Sequence, residues 1–446
     1  MTYLSDRVKN IINKFTPNRP RGADTSGPGR GVKRGSGLPT QKQLPWAWVI
    51  LAICFVDLFV NYSVRLGYGV ILPEMIQTLG FGRAAGGTIY NAYLFPYILI
   101  SPFTGFLTDR LGARRVITVC LLVVGIGVMG MGTVDSVRDA CLFFAAAGLG
   151  ATGLWTPVIT LVQRWFAYHR RGLALGILST GYGLGLATVG AVFPFIVAAF
   201  SWRHAWYFLG IMAILLVAVN GLLLRSDPSA IGLKPWGGEA DARRPAAEMT
   251  PSAQALSFGR LVRNARFWLI GGSYFFIAYG LYGFTTFMVD YAQHQLQLSL
   301  ERASFLATIH GVCQVAGVLV VLPLSDYIGR KKTILMSNAC ITLALIGILL
   351  AGSSWRLLYA IVGFMAVFYA TTFPIYGACA GDYFPREMMG TVIGAWTPFY
   401  GFGAILTHWV TGALRDATGR YDIPFVICAA MAVISLLLIG FVKPKN

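Results

Sequence analysis

Residues 105–115 read GFLTDRLGARR, and residues 323–332 read PLSDYIGRKK. In each, an apolar stretch starting near Gly105 or Pro323 runs into an acid, Asp109 or Asp326. A basic or aromatic residue follows, then a glycine three residues after the acid, Gly112 or Gly329. Behind the glycine come basic residues: Arg114 and Arg115 in one copy, Arg330, Lys331 and Lys332 in the other. An acid at a helix end can pair with basic groups such as Arg110 or with the N-terminus of a facing helix. The glycine permits a tight turn into the next helix. A loop that only marked one membrane side by its charge would explain the Arg and Lys residues. It would not explain Asp-x-x-Gly returning in register 217 residues later.

The repeat widens on inspection. Gly172, Gly176, Tyr182, Gly183 and Gly185 return 218 residues on as Gly390, Gly394, Tyr400, Gly401 and Gly403, and Trp165-Phe166 is matched by Tyr383-Phe384. Two copies of one unit facing each other across a pseudo-two-fold axis place a site at their interface. The solvent for both is lipid. Of 446 residues 56% are hydrophobic and 12% charged, with mean hydropathy +0.64, whereas a soluble domain carries roughly 25% charge. Spanning a bilayer takes about 20 apolar residues. Twelve such segments are read at 46–72, 86–108, 116–134, 139–163, 172–199, 205–224, 266–289, 302–324, 333–352, 356–380, 390–413 and 424–442. The expected fold class is an all-α membrane protein of twelve transmembrane helices in two six-helix pseudo-symmetric bundles. Residues 1–45 form a basic tail, 46–224 the first bundle, 225–265 a polar linker and 266–446 the second bundle.

Charge sidedness supports the count. With both termini inside, cytoplasmic segments hold 28 of the Lys and Arg residues; the outer loops hold seven, and Arg65 alone falls within a span. That bias obeys the positive-inside rule, and a miscount by one helix would scramble it. The net charge of +18 is spread over loops and tail rather than gathered in a stripe, which excludes a nucleic-acid partner. The tail has no signal peptide and is expected to stay cytoplasmic. Its Tyr3–Phe15 stretch alternates apolar and basic residues and is read as topogenic or surface-lying. Seven cysteines, odd in number and without C-x-x-C, read as apolar fillers.

The duplicated Gly105–Arg115 and Pro323–Lys332 segments resemble the loop signature between helices two and three, and eight and nine, of the major facilitator superfamily. The resemblance covers essentially all the chain beyond residue 45. It implies a secondary transporter in which Gly105, Asp109, Arg110, Gly112, Arg114, Arg115, Asp326, Gly329, Arg330 and Lys331 form a gating motif. The stretch 61–75, NYSVRLGYGVILPEM, resembles helix one of the superfamily's organic-anion symporters, which carry an arginine at that place. Residues 165–176, from Trp165-Phe166 to Arg170-Arg171-Gly172 and Gly176, resemble the corresponding segment of monocarboxylate and oxalate/formate carriers. Helix eight here offers His310 and Gln314 in place of the acidic–basic pair of monocarboxylate carriers, and helix eleven offers His408.

Arg65 is the residue on which function turns. A guanidinium in hydrocarbon costs at least about 2.5–3.5 kcal/mol, so it faces a wet cavity or a partner, and its fork suits a carboxylate. The alternatives are an ion pair with Asp57 or snorkelling to the outer interface. Asp57, His310 and His408 are the titratable candidates for proton coupling, each with a bland reading as an interior polar group. Tyrosines cluster at lining positions: Tyr62, Tyr90, Tyr93, Tyr182, Tyr279, Tyr282, Tyr369, Tyr376 and Tyr400. A shift of 217 carries Tyr62 onto Tyr279 and Arg65 onto Tyr282, which places Tyr282 on the side of the cavity facing Arg65. The expected substrate contacts are Arg65, Tyr62, Asn61, Tyr90, Tyr182, Tyr279, Tyr282, His310, Tyr376 and His408.

The reading is a carrier of a small organic anion, a mono- or dicarboxylate, by alternating access with proton symport or anion exchange. A carrier for drugs, sugars or metal complexes, including an exporter, is the alternative, though a cation carrier wants buried carboxylates and the spans offer only Asp57. No Gly-Lys dipeptide, H-E-x-x-H or nucleophile elbow occurs, which argues against an ATP-driven pump or an enzyme. No cofactor and no metal are expected. The partners are the anion and the lipid bilayer, the chain acting as a monomer in a bacterial inner membrane.

Overall fold

The computed structural model describes residues 44–167, 170–237, 261–352, 354–384 and 389–443. The basic tail and most of the central linker lie outside the described residues. Twelve long helices run α1 Leu44–Leu79, α2 Arg83–Leu111, α3 Ala113–Met131, α4 Val137–Trp165, α5 Arg171–Ala199, α6 Trp202–Leu223, α7 Ala265–Thr285, α8 Leu300–Ile328, α9 Arg330–Leu350, α10 Trp355–Tyr383, α11 Met389–Thr418 and α12 Asp422–Gly440. No strand occurs among the described residues. Ten of these helices are long and apolar enough to cross a membrane. The other two, α2 and α11, carry more polar side chains and pack on each other between the halves.

Packing repeats in the two halves. In the first, α1 lies on α5 and α6, α4 on α2 and α3, and α3 on α6. In the second, α7 lies on α11 and α12, α10 on α8 and α9, and α9 on α12. The halves meet along two equivalent seams, α2 on α11 and α5 on α8. Each seam reuses one hydrogen bond. Asn91 Nδ2 donates to the Ile405 carbonyl at 2.9 Å, and Thr308 Oγ1 donates to the Ala187 carbonyl at 3.2 Å; the two donors and the two acceptors are symmetry mates by the repeat offsets. Close approach at the α5–α8 seam depends on small residues: a Cβ on Gly190 would sit 2.6 Å from the Thr308 nitrogen. Leu, Phe and Ile side chains such as Phe103, Leu142, Leu222 and Leu350 stand exposed on the outer faces, as helices bathed in lipid require.

The motif glycines behave as their spacing predicts. Gly112 (φ 84°) and Gly329 (φ 93°) hold left-handed or related positive φ between consecutive helices, a region disfavoured for other residues. Their neighbours brace each half from within. The Arg114 guanidinium bonds the Gly221 carbonyl near the end of α6, and Lys331 Nζ bonds the Val442 and Gly440 carbonyls at the end of α12, at 2.6 and 3.3 Å. Cations at helix C-termini satisfy orphan carbonyls and oppose the helix dipole. Arg330 Nη1 donates to Ser325 Oγ at 2.5 Å, and Arg110 lies over the Phe106 ring. The side chains of Asp109 and Asp326 are outside the described set. The same face holds the start of the linker, where Trp236 pairs with Trp165 and Ala167 through backbone bonds and packs on Trp48. We call this the motif-bearing face.

Candidate functional site

Between the halves lies a cavity of about 510 Å³, within the range of small-ligand sites. Its wall comes from α1, α2, α4 and α5 of the first half and from α7, α8, α10 and α11 of the second. The α4 contribution depends on a break: a 3-10 turn at Thr152–Leu154 interrupts the helix and turns Trp155 and Thr156 into the cavity. Lining residues fall at the middle of their helices and toward the motif-bearing face, from Leu94 to Ser101 on α2 and from Gln314 to Val318 on α8.

Arg65 is in the wall and 8% exposed. Its Nη2 donates to the Tyr282 hydroxyl at 2.5 Å, and its Cζ stands 5.1 Å from the Tyr97 ring centroid and 5.7 Å from that of Tyr282. Aromatic faces attract a cation, but none of these groups carries a formal charge. The Nε has no hydrogen-bond partner among the described residues. An ion pair with Asp57 does not form. Asp57 is fully buried between α1 and α6, where both its oxygens accept from Asn220 Nδ2 at 3.0 and 3.1 Å. Among the described residues, Arg65 is thus a desolvated guanidinium that no carboxylate contacts and whose Nε is left as an unused donor.

The other expected residues divide. Tyr62, Tyr182 and Tyr282 line the cavity beside Arg65. The Tyr62 and Tyr182 rings meet edge to face at 4.4 Å, and Tyr182 donates to the Tyr369 hydroxyl at 3.3 Å. Tyr90 and His310 line a much smaller adjoining cavity of about 10 Å³, together with Gln314, Thr285 and Thr286. His408 stands just behind, its ring 4.5 Å from that of Tyr90. Because Asn91 Nδ2 already donates to Ile405, Asn91 Oδ1 is an acceptor and His408 Nδ1, 2.7 Å away, must carry a proton; Nε2 then accepts from Thr286 at 2.9 Å. Asn61, 3% exposed, lines neither cavity. Tyr279 and Tyr376 line neither of these two cavities. Both are buried within the second half, Tyr376 in a hydrogen-bonded cluster with Ser273 and Asn338. Residues the sequence reading passed over include Tyr97, Trp155 and Thr397. Tyr97 had a signal: Tyr90, Tyr93 and Tyr97 form one stripe at helical spacing.

Opposite the motif-bearing face the halves are closed. Arg83, at the start of α2, holds the fully buried Asp290 through Nε and Nη2, both at 3.2 Å. Asp290 follows α7 in the short turn Met288–Asp290 and leads into the π-helical turn Tyr291–Gln295. Burial alone would raise its carboxyl. His294, whose Nδ1 lies 2.9 Å away, the Arg83 charge and the Tyr421 hydroxyl outweigh that and bring it down to about 2. Asp416 at the end of α11 caps α2, accepting from the Arg83 and Ala84 backbone nitrogens at 2.8 Å each. Gln293 donates to Glu74, and Trp409 to Thr88. These contacts join the halves on the side of the cavity away from the motif-bearing face.

The sequence profile of the Major Facilitator Superfamily matches the chain over residues 51–299 and again over 271–446. The chain is 24% identical over 415 residues to the probable sulfoacetate transporter of Cupriavidus necator, covering 89% of this chain and 94% of that one. It is 24% identical over 411 residues to the hexuronate transporter of Bacillus subtilis, with the same coverage of 89% and 94%. Among solved structures, a bacterial homologue of the human lysosomal transporter Spinster, inward-facing and unoccupied, superposes with a TM-score of 0.71. That match has 16% identity and covers 89% of this chain and 96% of the other; at such identity the likeness is one of fold.

Proposed function

The chain belongs to the Major Facilitator Superfamily and is a multi-pass membrane transporter, and from that premise we propose that it carries a small organic anion, a mono- or dicarboxylate, by alternating access. One observation carries the reading: Arg65 is buried in the cavity wall with a phenol and ring faces around it and, among the described residues, neither a carboxylate in contact nor a partner for its Nε. The substrate carboxylate takes the guanidinium fork, with Tyr62 and Tyr282 alongside. The names of the relatives, sulfoacetate and hexuronate transporters, support an organic anion as cargo.

The charge-sidedness of the loops makes the motif-bearing face cytoplasmic, in a bacterial cell membrane with both termini inside. The arrangement described is then inward-facing, with Arg83 and Asp290 closing the outside. Residues 46–224 and 266–446 rock as two bodies within a monomer. Pairing with the carboxylate removes an uncompensated charge from the cavity, which lowers the cost of the loaded transition. Two coupling schemes follow. In exchange, a second anion neutralises Arg65 on the return. In proton symport, the proton is taken by His310 or His408, behind the Arg65–Tyr282 contact, or by Asp57, held by Asn220.

The test is thermal stabilisation of the purified protein by a panel of carboxylates, sugars, amines and inorganic anions. Stabilisation by a carboxylate that disappears in Arg65→Ala is the expected result. Stabilisation by an amine or sugar, unaffected by that substitution, would overturn the anion reading.

A further inference from the structure

The α8 residues His310 and Gln314 stand one helical turn apart on the same face and are each 1% exposed. Gln314 Nε2 and His310 Nδ1 are 2.7 Å apart. That bond uses one polar atom of each side chain and leaves the other bare: His310 Nε2 and Gln314 Oε1 have no partner among the described residues. Buried polar atoms are nearly always bonded, and those that are not point to a missing group. Both side chains line the small cavity, and Gln314, Tyr282 and Tyr369 line the large one too. The bare pair is thus set beside the guanidinium, with Tyr282 between them.

Hydrogen counting identifies what it accepts. With Gln314 donating to Nδ1, the imidazole proton sits on Nε2, and the pair offers Nε2–H and the second amide hydrogen as donors and Oε1 as acceptor. If the amide is turned over, Nδ1–H donates to Oε1, and the pair offers an NH₂ donor and an Nε2 acceptor. Either way the complement is a group that both gives and takes a hydrogen bond. A hydroxyl does so, as does a water molecule; a second carboxylate, which only accepts, does not. Size agrees, because about 10 Å³ is room for roughly one water-sized oxygen, too little for a carboxylate or sulfonate.

We propose that His310 and Gln314 form a hydroxyl-binding subsite beside Arg65, so that the transported anion is a hydroxy acid, sugar acids included. The proposal rests on the carboxylate reading of Arg65 and narrows it. A site built to bond a hydroxyl rejects the analogue that lacks it more strongly than a hydrophobic pocket rejects a changed methylene count, because its polar atoms are left unpaired.

The experiment uses six-carbon probes on the full-length protein: hexanoate, 2-hydroxyhexanoate, gluconate and adipate, read by thermal stabilisation against concentration. Gluconate is expected to act at concentrations about tenfold or more below hexanoate and adipate, and the gluconate-to-hexanoate ratio is expected to fall toward one in His310→Phe and Gln314→Leu. Equal potency of gluconate and hexanoate in the unsubstituted protein, with both lost in Arg65→Ala, overturns the hydroxyl subsite and leaves the carboxylate site standing. A preference for adipate overturns it too, as does a gluconate preference that survives both substitutions. If no carboxylate acts and Arg65→Ala changes nothing, the carboxylate reading itself falls. Should the variants fail to fold, the ratio in the unsubstituted protein still decides.

Discussion

Arg65 and Tyr282 occupy equivalent positions in the two halves, 217 residues apart, and they touch: the guanidinium of one donates to the phenol of the other at 2.5 Å. Two identical halves would set two guanidiniums against each other there. In this chain the pair is instead a charged donor and a neutral acceptor, which on the proposed function leaves the charge available to a ligand.

Arg65→Lys keeps that charge but loses the planar fork, so carboxylate affinity should fall by about tenfold. Arg65→Ala should cost about a hundredfold or more, since a charge-assisted hydrogen bond is lost. Titrations followed by thermal shift check both.

The clasp on the far side makes a pH prediction with a definite sign. The Asp290 carboxyl lies at about 2 in place of the ordinary 3.8, so its contribution is complete above the ordinary value and is lost as pH falls through about 2. Spin labels on the exposed residues Thr78 and Thr418 at that face should report one unchanged short distance from pH 8 to pH 4. Asp290→Asn should lengthen the distance at all these values, because breaking a buried pair costs about 3–5 kcal/mol.

Two glycines of α5 should respond with opposite signs. Gly190→Ala drives a methyl against backbone atoms of Ser304 and Thr308 and should destabilise by about 1–3 kcal/mol through overpacking. Gly176→Ala meets nothing within 4 Å and should gain up to about 1 kcal/mol from helix propensity. Thermal unfolding in detergent separates them.

Neighbouring arginines of the motif should also differ. Arg114 bonds the end of α6, whereas Arg115 is exposed. Arg114→Ala should cost about 0.5–1.5 kcal/mol of stability, and Arg115→Ala close to nothing.

Much of this was legible in the residues. Hydropathy located all twelve helices, and the repeat offset led from Arg65 to Tyr282. Helix α1 shows one limit: the apolar segment was read as ending at residue 72, yet the helix runs on through Pro73 and Glu74 to Leu79, because the first half and the Gln293 side chain support it there. Tyr279 and Tyr376 show another. Hydropathy cannot separate a tyrosine facing a cavity from one facing a packed core, since both are buried. Arg83 and Asp290, 207 residues apart, are joined by no spacing rule and emerge only from the fold.

The two seams between the halves began as copies, and the unequal dress they now wear bears on how fast the carrier turns over. Where α5 crosses α8, Gly190 gives a smooth bearing with a single weak bond from Thr308 nearby. Its mate on α11 is His408, which bonds Asn91 on α2, while Trp409 bonds Thr88 and Asp416 caps the start of α2. One seam is a pivot and the other a ratchet tooth. If the halves rock as proposed, the α2–α11 side has more hydrogen bonds to release than the α5–α8 side.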